Sequence, residues 1–133
     1  MRMLLAALVL LAGPALAQEV VSPDEFRDYA EGYTLYFERD GAPFGSEAFE
    51  PGGHTRWRYT DGTCVRGVWR PHGAQLCFLY ESDDESGPLC WRMLRDAGGL
   101  LARLLDGDNA GLEIRVTRRD HAPLLCGAPG RST

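Results

Sequence analysis

The apolar and polar positions of this chain change period twice. Met3 to Ala12 is an unbroken apolar run. Ser22-Pro23-Asp24-Glu25 then opens a short helical stretch in which Phe26 and Ala30, four apart, share a face. Ser22 suits the N-cap, Pro23 the first helical position and Glu25 the third, the capping-box arrangement, and Gly32 ends the helix. From Tyr33 the period becomes two: Tyr33, Leu35 and Phe37 alternate with Thr34, Tyr36 and Glu38. Turn residues recur about every ten positions thereafter, among them Asp40-Gly41, Pro51-Gly52-Gly53, Asp61-Gly62, Pro71-His72-Gly73 and Gly98-Gly99.

Short segments between regular turns predict an antiparallel meander of eight strands. They fall near Tyr33–Glu38, Gly45–Phe49, His54–Thr60, Thr63–Arg70, Ala74–Glu81, Leu89–Leu94, Leu100–Leu105 and Gly111–Thr117. Leu100–Leu105 also suits a helical turn, and the tail after Arg118 reads as irregular, tied down by Cys126. The expected fold is mainly β: a small up-and-down, lipocalin-like barrel, which removes open edges, preceded by one short N-terminal helix. A bent sheet or a two-layer sandwich would use the same strands.

Turn lengths extend the expectation to register. A two-residue turn at Asp61-Gly62 pairs Tyr59 with Cys64 and Trp57 with Arg66. A three-residue loop at Pro71-His72-Gly73 pairs Val68 with Leu76 and Arg66 with Phe78. Setting Cys77 opposite Cys90 places Leu76 opposite Trp91. One face then carries Trp57, Tyr59, Cys64, Arg66, Val68 and Leu76, with Phe78, Tyr80, Trp91 and Met93. The other carries Arg58, Val65, Gly67, Trp69, Gln75, Leu79 and Arg92. A single bulge would flip part of this assignment.

The N-terminal run changes what is left to fold. Arg2, the apolar run, the Gly13-Pro14 break and Ala15-Leu16-Ala17 have the order of a cleaved signal peptide over residues 1–17. The run is shorter than the roughly 20 apolar residues of a membrane span. Cleavage would leave residues 18–133 as one disulfide-bonded domain in the periplasm or secreted, with no integral membrane segment. That part carries 13 Arg against 19 acids, a formal charge of −6, and the chain has no Lys. An acidic balance without a basic cluster argues against nucleic acid as a partner.

Cys64, Cys77, Cys90 and Cys126 are an even set in a small exported domain, which reads as two disulfides. The hairpin favours Cys77–Cys90, leaving Cys64–Cys126 to anchor the tail. None of the spacings is that of a zinc knuckle. His54, Asp61, Cys64 and His72 lie close in sequence, but a bonded Cys64 is inert and both His follow turn residues. The acidic loop with Glu81, Asp83, Asp84 and Glu85 reads as a solvated hairpin tip rather than a cation site. Asp106–Gly111 departs from a calcium loop at Ala110 and Thr117. No metal, cofactor or catalytic set is expected.

Arg66 is the remaining chemical candidate. An Arg facing inward cannot shed its charge and must meet a carboxylate, a ring or an anionic ligand. One reading makes it the anchor of an anion-binding pocket with Trp57, Phe78 and Trp91. The other, which is preferred, makes it a rim Arg paired to an acid and reaching water.

The stretch containing Trp57-Arg58-Tyr59, Asp61-Gly62-Thr63-Cys64, Gly67-Val68-Trp69, Leu76-Cys77-Phe78 and Cys90-Trp91 resembles small uncharacterised secreted proteins of proteobacteria, over about half of the cleaved chain. The resemblance implies a periplasmic β domain and carries no activity. The plan is also similar to periplasmic barrels that inhibit lysozymes or proteases, and to lipocalin-like binders, without an inhibitory-loop motif. The functional expectation is a non-enzymatic binding protein for a small molecule or an envelope protein. The alternative is a structural or accessory envelope subunit using an outer aromatic surface such as Trp69 and Tyr36.

Overall fold

The computed structural model describes residues 13, 17–81 and 87–127. The signal-peptide assignment and most of the acidic loop lie outside the described residues. Strands β1 (Glu19–Val21), β2 (Thr34–Arg39), β3 (Ala42–Phe49), β4 (His54–Tyr59) and β5 (Cys64–His72) are followed by β6 (Gln75–Tyr80), β7 (Leu89–Asp96), β8 (Gly99–Leu104) and β9 (Glu113–Asp120). One helix, α1 (Pro23–Ala30), separates β1 from β2. Each strand from β2 to β9 pairs antiparallel with the next, and β9 pairs back onto β2. The result is a closed eight-stranded up-and-down barrel. A barrel of this size has room inside for side chains or for one small ligand.

β1 lies outside the eight strands that the turn spacing predicts. On one edge of β7, β6 covers Leu89–Trp91 and β1 covers Met93–Arg95, so the two share it end to end. Leu100–Leu105, left open between helix and strand, lies mostly in β8. Its Leu100, Leu101, Ala102 and Leu104 are all buried.

α1 closes one end of the barrel. Ser22 Oγ accepts the Glu25 backbone N–H at 3.2 Å, and Gly32 follows the helix at φ 85°, a conformation glycine adopts without steric cost. The Glu25 side chain does not complete a capping box. It reaches Arg95 at 2.8 Å and ties the helix to β7. Phe26 is buried edge-on against Phe49, 5.3 Å between centroids, and Trp69, 5.8 Å.

Two hairpins depart from the expected register, with one consequence. In the β4–β5 hairpin Arg58, not Tyr59, faces Cys64, so Arg56 lies opposite Arg66 and Trp57 opposite Val65. The Asp61 carboxylate accepts the Thr63 N–H at 2.9 Å and its hydroxyl at 2.7 Å, which opens the turn into a loop over Tyr59–Thr63. At β5–β6 the turn is Gly73-Ala74, with Trp69 opposite Phe78 and Gly67 opposite Tyr80. A shift of one residue flips a strand's faces. Cys64, Arg66 and Val68 therefore point outward, and Gly67 and Trp69 inward. Trp69 is 5% exposed. The β6–β7 register is as expected, with Cys77 opposite Cys90 and Leu76 opposite Trp91.

Disulfides join Cys77 to Cys90 and Cys64 to Cys126. The tail is held by more than its cysteine. Thr34 Oγ1 donates to the Ala122 carbonyl at 2.8 Å, Arg58 Nε to Leu125 O at 2.9 Å, and Gly127 N to Gly62 O at 3.0 Å. Among the described residues no helix is long and apolar enough to cross a membrane.

Candidate functional site

The alternation of β3 decides what faces the barrel interior. Glu47 and Phe49 share the inner face, with Gly45 two residues before Glu47. Cross-strand pairing sets Glu47 against Trp57. Glu47 is 4% exposed. A carboxyl is thus fixed in the interior by the same period that buries Phe49.

Around it lies a cavity of about 430 Å³. Phe26 of α1 forms its floor, and Phe37, Phe44, Trp57, Phe78 and Trp91 line its walls. Tyr59 also lines it and is 45% exposed, so the cavity meets solvent at the end away from α1. Trp57 sits between Phe37 and Phe44, each at 5.8 Å between centroids. Among the described residues the lining contains no Arg, His or Cys.

Tyr80 is the main polar partner of Glu47. Its hydroxyl donates to Glu47 Oε1 at 2.6 Å. Gly67 makes that placement possible. It sits directly across from Tyr80, and a Cβ at position 67 would lie 2.6 Å from the Tyr80 ring. The Thr55 hydroxyl is buried without a regular hydrogen-bond partner but close enough to favour the charged carboxylate, as Tyr80 does. Burial opposes both and is larger, because a carboxylate loses its hydration there. The Glu47 carboxyl is raised from the ordinary glutamate range to about 7. Such a group can hold or release a proton near neutrality, or pair with a cation that enters the cavity.

The expected site residues divide. Trp57, Phe78 and Trp91 line the interior cavity together. Arg66 does not join them. It is exposed on the outer face, where a broad hollow of about 660 Å³ also takes in Arg56, His54, Glu50 and Glu81. The inward anion anchor is therefore corrected to a surface residue among mixed charges. Glu47, not among the residues expected from the sequence, is the carboxyl of the described lining. Its signal was available: in a strand of alternating faces, Glu47 falls on the side of Phe49.

The other candidates keep ordinary roles. Cys64 is bonded, and His54 and His72 are exposed. His121 stacks on Tyr33 at 4.2 Å. The Asp106 carboxylate accepts the Cys90 N–H at 2.8 Å, tying the 106–111 turn to β7. Of the two rings expected on an outer aromatic surface, Trp69 is internal, and Tyr36 lies beneath the Arg118 guanidinium, 3.5 Å from its ring centre, and bonds Asp120. Among the described residues no cluster of His, Cys, Asp or Glu has the arrangement of a metal site. Comparison with protein-family models, with curated proteins and with solved structures returns no match.

Proposed function

We propose that this is a non-enzymatic binding protein of the periplasm or extracellular space, and that its small ligand occupies the open half of the barrel. The observation that carries this reading is the aromatic cavity itself. Its size is within the range of small-molecule sites, it opens to solvent at Tyr59, and its walls are apolar around one polar pair. Among the described residues the lining offers a carboxyl and two tyrosine hydroxyls within otherwise apolar walls, which suits a small ligand with an apolar body and one polar group. The two disulfides and the N-terminal Arg2–Ala17 pattern support export, since such bridges persist in oxidising compartments. With Trp69 internal, that ring does not support the accessory-subunit reading.

Titration with the neutral dye N-phenyl-1-naphthylamine tests the proposal. The dye should brighten on entering the cavity, saturate at one per chain and accept energy from Trp57 and Trp91. Ala102 lines the cavity, and Ala102→Phe should fill it and remove the dye signal while the circular dichroism stays that of the wild type. Equal dye binding by a folded Ala102→Phe variant would place the ligand elsewhere.

A further inference from the structure

We infer that the interior cavity recognises an organic cation: an amine on an apolar, ring-sized body, its ammonium held by the Glu47 carboxylate and faced by aromatic rings. This rests on the reading of the cavity as the binding site and specifies its ligand. Glu47 is buried with no cationic partner, since none of the six ion pairs among the described residues includes it. A lone ionised carboxylate in such surroundings is costly and is relieved by a proton or by a cation. Tyr80 favours the second outcome. Its O–H donates to Oε1, leaving the carboxyl as an acceptor prepared for a positive donor.

The walls point the same way. Trp57 pairs directly across from Glu47, with Phe37 and Phe44 around it. Aromatic faces carry negative potential and attract ammonium groups, more strongly where water is excluded. An anionic ligand would meet those faces and Glu47 with no compensating cation among the described residues of the lining. Among the described residues the titratable groups that share the cavity lining with Glu47 are Tyr59 and Tyr80, the Thr55 hydroxyl lies close to the carboxylate, and the rest of the lining is apolar side chains and the Trp57 and Trp91 indoles. The formal charge of the whole chain, −5, would also draw a cation toward the protein.

Three probes with one body separate the possibilities: 4-phenylbutylamine, 4-phenylbutanol and 4-phenylbutyrate, measured by displacement of the neutral dye at pH 8. The amine should bind at least about tenfold tighter than the alcohol, and the carboxylate weakest. Glu47→Gln should remove the preference of amine over alcohol. In the wild type at pH 6, the amine should also drive the Glu47 carboxyl carbon toward its ionised chemical shift, a readout that needs no variant. An alcohol that matches the amine, an amine preference that survives in Glu47→Gln, or dye binding that no amine displaces would overturn the cation assignment and leave the binding cavity intact. Failure of the dye as well as all three probes would overturn both.

Discussion

The two ends of the barrel are built from the same kinds of residue and come to opposite outcomes. At the closed end α1 drives Phe26 between Phe49 and Trp69, and the aromatic rings pack edge to face. At the open end Trp57, Tyr59 and Trp91 stand around empty volume, with Glu47 among them. What separates the ends is a plug. A helix supplies the missing side chains at one end, and none of the described residues supplies them at the other. Aromatic content alone therefore distinguishes neither a core from a site nor one end of this barrel from the other. The buried carboxyl does, because a region optimised for stability alone has little use for it.

Removing the plug should have the largest effect. Phe26→Ala opens a cavity in the closed end and should cost about 3–5 kcal/mol of stability. Urea denaturation checks this. A loss below about 1 kcal/mol would mean that the closed end is no better packed than the open one.

The next effect belongs to Glu47. Its value in the folded protein, about 7, lies above that of the unfolded chain, so the folded state holds the extra proton. Stability from this group is fully present below the ordinary glutamate range and is lost as pH rises through about 7. The swing should approach about 3 kcal/mol between pH 4.5 and pH 8. Glu47→Gln should flatten it, as denaturation at several pH values will show. Asp96 has the opposite sign. Two hydrogen bonds from Arg115, each 2.9 Å, head the causes that hold it below the usual carboxylate range, so its contribution disappears only as pH falls further. The two groups therefore act in separate pH windows.

A smaller change should reach Glu47 through its partner. Gly67→Ala places a methyl group against the Tyr80 ring and should cost about 1–3 kcal/mol. Displacing Tyr80 removes a bond that favours the ionised form, so the Glu47 midpoint should rise further. A destabilised variant with an unmoved midpoint would show that Gly67 serves packing alone.

Arg66→Leu should do least. The side chain is exposed and takes part in none of the ion pairs found, so stability should change by no more than about 0.5 kcal/mol. Dye binding in the cavity should be unchanged. A large loss of binding in this variant would move the site to the outer hollow.

These predictions also mark where the sequence was legible. Helix α1 follows from Ser22-Pro23, and the eight barrel strands follow from turns spaced about ten residues apart. The β6–β7 register could be read because Cys77 and Cys90 fix it independently of any turn type. The β4–β5 register could not. Asp61-Gly62 has the composition of a two-residue turn, but Asp61 binds Thr63 locally and lengthens the loop. That one displacement exchanged Arg66 for Trp69 on the inner face and pointed the chemistry at the wrong charge. Glu47 depended on no turn at all, only on its parity with Phe49. The cavity was not legible, because empty volume depends on how far each ring reaches across a closed barrel.

The claim that the open end holds an isolated, buried carboxyl is tested most directly by carbon-detected NMR titration of the Glu47 side chain in the ligand-free protein. The account predicts a midpoint near 7, moving upward in Tyr80→Phe as the carboxylate loses its donor. A midpoint in the ordinary glutamate range, about 4.3, unmoved by Tyr80→Phe, would contradict it.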